Sequence, residues 1–349
     1  MTKGYLHLNT GHVFEGDMIG ADCGQTGEVV FTTSMTGYQE TLTDPSYAGQ
    51  VLTFCYPMIG NYGLHDTASE SVKPFVKGVV TGELWDEDDK LKSFLSSWGI
   101  PGLSGIDTRA LVKTIRQYDT VIGVISAEAN VSNTWETEGS LTLMQRTTVT
   151  HPKTYGNGTT HIVMVDFGYK KSILEALVKR GCFVTVVPFS YSFKQVERLK
   201  PDGIVLSNGP GDPKALAPYF TQLKKITEKW PTLGICLGNQ LIALAFGGET
   251  KKQLNGHRGS NHPVKDLQSG KVMITSQNHG YVIADEGLPL GFNVTYVNVN
   301  DKTIEGIKHK SLPIESVQFH PEAHPGPSDT DYVFDQFIAQ VATGGNVYA

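Results

Sequence analysis

Four short apolar runs, at residues 161–165, 183–187, 203–206 and 233–235, punctuate the second half of the chain, and this rhythm constrains the fold more than any other feature. The first two, His161-Ile162-Val163-Met164-Val165 and Phe183-Val184-Thr185-Val186-Val187, are rich in β-branched residues. Such runs suit strands buried on both faces. Helical patterns fill the gaps, over 170–179 (stopped by Gly181), near 215–229 and over 239–246. Pro188 ends the second run. A further strand is expected over 314–319, more strands beyond Gly270, and a helix near 330–341. Alternating buried strands and helices predict an α/β domain whose mostly parallel sheet is flanked by helices.

The first 130 residues lack that alternation. Runs at 29–31, 51–54, 76–81 and 121–125 read as strands, and 88–98 and 108–118 as helices opening on polar cap candidates. This mixture predicts a smaller α+β domain. Residues 131–160, rich in Ser, Thr, Asn, Gly and Glu and containing Tyr155-Gly156-Asn157-Gly158, read as the linker. The expected organisation is therefore 1–130, a linker over 131–160, and 161–349. A length of 349 residues fits two domains of roughly 150.

The composition narrows the function. A net charge of −6 argues against nucleic acid as the main partner, because phosphate binding draws on an excess of Lys and Arg. No apolar run approaches the roughly 20 residues of a membrane span. The N-terminal stretch lacks a long apolar signal core, so a cytoplasmic location is expected. None of the four cysteines, Cys23, Cys55, Cys182 and Cys236, forms a C-x-x-C pair, which gives no support for a metal site. Cys23, Cys55 and Cys182 read as small buried apolar residues.

Cys236 stands apart. Gly234-Ile235-Cys236-Leu237-Gly238 has the form of a nucleophile elbow, with cysteine in the place of serine, between a strand and an apolar helix. There a thiol would sit at a helix N-terminus, where partial positive charge favours the thiolate, and the Leu237 N–H would point to where an oxyanion forms. The alternative is a buried cysteine beside two turn glycines. A thiolate needs a proton partner, and His320-Pro321-Glu322 supplies an imidazole with a carboxylate two residues on to orient it. Taken alone it is a surface turn; beside the elbow it completes a triad. His324 lacks the following Glu and reads as a decoy. The loop Ser207-Asn208-Gly209-Pro210-Gly211-Asp212-Pro213 follows a strand of the sheet, where open α/β sheets bind ligands, and can offer a second oxyanion donor. No G-x-x-x-x-G-K-[ST] motif accompanies it.

Gly234-Ile235-Cys236-Leu237-Gly238-x-Gln240, Asn208-Gly209-Pro210-Gly211-Asp212-Pro213 and His320-Pro321-Glu322 resemble the class I (triad-type) glutamine amidotransferases. Further motifs are similar to those of carbamoyl phosphate synthetase small subunits. These are Thr43-Asp44-Pro45-Ser46-Tyr47, Tyr56-Pro57-x-Ile59-Gly60-Asn61-Tyr62-Gly63, Gly105-Ile106-Asp107-Thr108-Arg109-Ala110-Leu111 and Gly259-Ser260-Asn261-His262-Pro263-Val264. The resemblance implies hydrolysis of L-glutamine through a γ-glutamyl thioester. Ammonia then passes to a large synthetase subunit, which makes carbamoyl phosphate for arginine and/or pyrimidine biosynthesis. It implies Cys236 as nucleophile, His320 as acid and base, Glu322 as its orienter, and Gly209 and Leu237 as oxyanion amides. It implies Ser46, Gly211, Gln240, Asn278, Gly280 and Tyr281 as the residues that hold glutamine. It implies no cofactor on this chain, with ATP and magnesium on the large subunit, which the first domain would dock. Two positions depart from the family pattern: Asn239 stands where the elbow usually has His, and Tyr281 where Phe is frequent. Asn239 is expected to tune the turn, not to remove activity. A glutaminase of anthranilate or GMP synthesis would not need the first 150 residues, and a scaffold protein would not need the intact triad.

Overall fold

The computed structural model describes residues 2–132 and 135–344 and separates into two compact units, Met1–Gly139 and Ser140–Ala349. The first contains β1 (Lys3–Leu8), β2 (Val13–Gly20), β3 (Gln25–Thr32), α1 (Tyr38–Thr43), β4 (Gln50–Phe54), β5 (Met58–Ile59), β6 (Gly78–Val80), β7 (Glu83–Leu84), α2 (Lys90–Ser97), β8 (Pro101–Ser104), α3 (Thr108–Ile115) and β9 (Ile122–Ser126). Seven of these strands close into a barrel in the order β1-β2-β8-β6-β4-β3-β9, with β5 and β7 paired separately. Neighbouring residues on one strand enter different cores, as the two-residue period of a strand requires. Val29, Val51 and Val80 join Leu6, Leu8, Leu103 and Leu111, whereas Val30, Leu52 and Val79 pack with Leu42, Leu91 and Leu95 of α1 and α2.

The motifs of this unit have local physical causes. Asp44 turns the chain by accepting from the Ser46 N–H at 2.9 Å, and Pro45–Tyr47 forms a single 3-10 turn behind it. Asp107 caps α3 by accepting from Ala110 N at 2.8 Å, after Gly105 has reversed the chain at φ 77°. The Tyr62 hydroxyl accepts from the Gly37 N–H at 2.6 Å while its ring stacks on Tyr38, with centroids 4.3 Å apart.

The second unit opens earlier than the composition suggests. Residues 140–160, expected as linker, contain α4 (Ser140–Thr147), β10 (Lys153–Tyr155) and the first residue of β11 (Thr160–Asp166). The polar composition of this stretch hides an amphipathic turn that buries Leu143 and Met144. Then follow α5 (Lys171–Lys179), β12 (Cys182–Pro188), α6 (Phe193–Leu199), β13 (Gly203–Leu206), α7 (Phe220–Lys229), β14 (Thr232–Ile235) and α8 (Leu237–Ala245). The remaining elements are β15 (Thr250–Asp266), β16 (Val272–Ile283), β17 (Phe292–Asn298), β18 (Ile304–His309), β19 (Ile314–Val317) and α9 (Tyr332–Ala342). Part of the helix expected near 215–229 is a 3-10 stretch, Pro213–Tyr219, because Pro218 offers no N–H to an α-helical ladder.

The ten-stranded sheet has the order β10-β12-β11-β13-β14-β19-β18-β17-β15-β16. Its heart, β12-β11-β13-β14-β19, is parallel, and antiparallel strands extend both edges. Both faces are covered. Val163, Val165, Ile204 and Leu206 face Leu223 and Ile226 of α7 and Leu241 and Ile242 of α8. Ile162, Met164, Val205 and Ile235 face Ile173 and Leu177 of α5 and Phe334 and Phe337 of α9. Among the described residues no helix is long and apolar enough to cross a membrane.

Candidate active site

Cys236 occupies the single residue between β14 and α8, with φ 55° and ψ −102°. A side chain in this region costs on the order of 1–3 kcal/mol and persists only where its surroundings impose it. Here they do. The Cys236 N–H donates to the Val317 carbonyl at 2.9 Å, and the Cys236 carbonyl accepts from Asn239 and Gln240. The flanking glycines act by allowing close approach. A Cβ on Gly238 would lie 2.2 Å from the Leu206 carbonyl oxygen, and one on Gly234 would lie 2.7 Å from Ile242 Cδ1. The elbow is therefore sharp because the helix is pressed onto β13 and β14, and the positive φ falls on the cysteine itself.

The thiol is buried and directed at the Asn278 carbonyl of β16, 3.6 Å away. His320 lies three residues beyond β19, and its imidazole interacts with the Cys236 sulfur. His320 Nδ1 lies 2.6 Å from Glu322 Oε1, and Nε2 is buried with no nitrogen or oxygen partner. Burial alone would lower the imidazole pKa, but the charges of Glu322 and Cys236 outweigh it and push it up to about 10. Burial likewise works against the Glu322 carboxylate, but Lys170 and His320 bring it down to about 2.

Lys170 is the residue that sequence reasoning missed. The helical pattern over 170–179 makes it the first residue of a helix, yet it lies just before α5 in extended backbone, and its side chain is buried. Its Nζ lies 3.1 Å from Glu322 Oε1 and donates to the Ala323 carbonyl. Its N–H donates to Asn208 Oδ1 at 3.0 Å, tying it to the Gly209 loop. Asp166, at the end of β11, fixes this turn by accepting from the Gly168 and Tyr169 N–H groups, each at 2.8 Å. The available signal was position: a lysine just past the carboxyl end of a parallel strand, on the same edge of the sheet as the elbow.

The remaining expected residues separate by unit. Gly209 adjoins the elbow, since a Cβ there would lie 2.9 Å from Leu237 Cδ2. Leu237 begins α8, and an N–H of a first helical turn has no acceptor within its own helix. Gly211 has φ 85° and packs on Ser140, whose hydroxyl accepts from the Asp212 N–H at 2.9 Å. Gln240 is buried under the elbow and donates to the Tyr281 carbonyl at 2.7 Å and to Gln318 at 3.0 Å. Asn278, Gly280 and Tyr281 lie on β16, which Cys236 and Gln240 touch through its carbonyl groups. Ser46 belongs to the first unit, buried in its 3-10 turn. His324 is exposed, and the triad does not include it. Asn239 is fully buried beneath the elbow, where its Oδ1 accepts from Ser316 at 2.8 Å and its Nδ2 donates to Gln318 at 3.2 Å. All four cysteines are free. Burial pushes the Cys55 thiol up to about 11 and raises that of Cys182, consistent with inert side chains.

The chain is similar to known proteins in both of its halves. Residues 163–340 match the family described as glutamine amidotransferase class-I, and residues 6–125 match the CPSase domain of the carbamoyl-phosphate synthase small chain. The chain is 49% identical to the carbamoyl phosphate synthase arginine-specific small chain of Bacillus subtilis (strain 168), covering 97% of both chains. It is 48% identical to the arginine-specific small chain of Geobacillus stearothermophilus, covering 99% of this chain and all of that one. It is also 48% identical to the carbamoyl phosphate synthase small chain of Listeria monocytogenes serotype 4b, covering 97% of this chain and 96% of that one. With a thiol elbow, a buried imidazole–carboxylate pair, family matches in both halves and relatives nearly half identical over almost the whole chain, the protein belongs to the carbamoyl phosphate synthase small chains.

Proposed function

We propose that this chain hydrolyses L-glutamine at Cys236 and delivers the ammonia to a large synthetase subunit. The observation that carries the reading is the Cys236–His320–Glu322 arrangement, charge-balanced by Lys170. With the imidazole held protonated through neutral pH, the sulfur is the nucleophile and His320 the acid. Sγ attacks the glutamine carboxamide carbon while the developing oxyanion is met by the Leu237 and Gly209 N–H groups. The C–N bond breaks, ammonia leaves with a proton from His320, and a γ-glutamyl thioester remains. Water then attacks the thioester, His320 takes its proton, and glutamate departs as the thiolate is restored. Gly211, Gln240, Asn278, Gly280 and Tyr281 are the residues proposed to hold glutamine. Ser46, in the first unit, is added to that set by the resemblance alone, and an unchanged KM for glutamine in Ser46→Ala would remove it. The ammonia is used by the large subunit, which is the proposed site of ATP and magnesium. The first unit is the proposed docking element, since the Cys236–His320–Glu322 arrangement lies wholly in the second.

The test is Cys236→Ser in the assembled enzyme. Glutamine-dependent carbamoyl phosphate synthesis is expected to disappear while ammonia-dependent synthesis survives. Undiminished use of glutamine would refute the assignment.

A further inference from the structure

The backbone of β16 meets the site at three points. The Ser276 carbonyl accepts from the His320 N–H at 2.9 Å, the Asn278 carbonyl faces the Cys236 thiol at 3.6 Å, and the Tyr281 carbonyl accepts from Gln240 at 2.7 Å. Successive side chains of a strand point to opposite faces, and Gln277 and His279 both enter a buried polar cluster that the mechanism does not use. Gln277 Nε2 donates to Glu305 Oε2 at 3.1 Å. Gln277 Oε1 lies 3.0 Å from His257 Nδ1 and 2.7 Å from His279 Nε2. The other nitrogen of His279 lies 2.9 Å from the Tyr281 carbonyl.

His257, on β15, is held between two carboxylates. Its Nε2 is 2.7 Å from Asp301 and its Nδ1 is 3.3 Å from Glu305. Glu305, on β18, is fully buried, and a buried carboxylate is costly unless a cation and hydrogen bonds meet it. His257 is the group that meets it: burial lowers its pKa, but Glu305 and Asp301 outweigh burial and hold it above its ordinary value. Burial, together with the charge of His257, drives His279 well below its ordinary value and leaves it neutral. Ligand atoms of His257, His279 and Glu305 lie within 4.8 Å of one another, close enough to suggest a metal. A metal needs a free ring lone pair on each histidine. Both ring nitrogens of His257 already face oxygens, Nε2 that of Asp301 and Nδ1 those of Glu305 and Gln277.

We infer that Asp301, His257 and Glu305 form a positioning relay that fixes Gln277 and so holds Asn278, Gly280 and Tyr281 in register with Cys236 for glutamine. The inference rests on the proposed glutamine-holding role of those three β16 residues. Loosening the relay lets β16 shift against a thiol that stays in place, so binding suffers before chemistry does.

The test is glutaminase kinetics on the full chain carrying Glu305→Gln, Asp301→Asn, or both. Losing a hydrogen bond to a charged group should raise KM for glutamine roughly tenfold in Glu305→Gln, with kcat within about twofold of the parent. Asp301→Asn, at a partly exposed position where folding is not at stake, should raise KM by less. The double variant should be no worse than Glu305→Gln, because both break one relay. KM unchanged in both single variants, losses that add in the double variant, or a stoichiometric divalent metal in the purified protein would each overturn the relay. Cys236→Ser, run alongside, separates the two failures: if it retains turnover, the site reading falls; if it is dead while the relay variants are unaffected, only the relay does.

Discussion

Lys170 brings a full charge to a place that water does not reach, and Glu322 answers it at 3.1 Å. Removing one partner of a buried pair costs about 3–5 kcal/mol, because the other is left uncompensated. Lys170→Met keeps the bulk and removes the charge. The loss raises the pKa of Glu322, so its carboxylate is given up at a higher pH as the solution is acidified. The expected result is a kcat/KM lower by roughly 10²-fold and an acid limb displaced upward in its pH profile. An acid limb that stays in place would mean that Lys170 does not act through Glu322. His320 and Glu322 should fail differently. His320→Asn removes the group that moves protons, worth roughly 10²–10⁴-fold in rate. Glu322→Gln should be milder in rate but lower the thermal midpoint more, since it strands two buried cations. Paired kinetics and melting curves decide between these orders.

At the level of elements, a comparison of two glycines separates crowding from backbone freedom. Gly238 presses against the Leu206 carbonyl, whereas Gly181 has φ 76° and open space around it. Gly238→Ala must move α8 off β13, an overpacking cost of about 1–3 kcal/mol that lands on the nucleophile. Gly181→Ala pays only for its backbone conformation and leaves the site alone. The first is expected to lose both activity and melting temperature, the second melting temperature only. The same elements show what the sequence made readable. The central parallel strands and the elbow were legible because each is a short apolar run with turn residues at its ends, and the His320–Glu322 pair because its members are two residues apart. The barrel was not: β2 carries Glu15, Gly16 and Asp17, and its pairing with β8 joins residues some 85 positions apart. The long strand β15 was equally hidden, because Lys251, Lys252, Asn255 and Gly256 break any apolar alternation and its register with β16 shifts twice. Lys170 escaped for a related reason: its partner lies 152 residues further along the chain.

For the molecule as a whole, the difficulty is ammonia, which is protonated in neutral water and then useless as a nucleophile. Hydrolysis is best withheld until a partner can receive the product. The isolated chain is expected to turn over glutamine slowly, and the large subunit to accelerate it by roughly 5–150-fold, the usual span of a coupling between sites. Steady-state glutaminase rates with and without the large subunit measure this, and equal rates would remove the coupling. A chain lacking residues 1–139 should lose the acceleration. The strand order adds a safeguard of timing. β14, which ends at the nucleophile, lies beside β19, which leads to His320, but β15 to β18 are synthesised between them. At roughly 5–20 residues per second, the ribosome exposes Cys236 several seconds before the histidine exists. A nascent chain therefore carries a thiol with no base, and an interrupted one never becomes a glutaminase. On the proposed mechanism, amino-acid nitrogen is spent only by chains whose translation has passed His320.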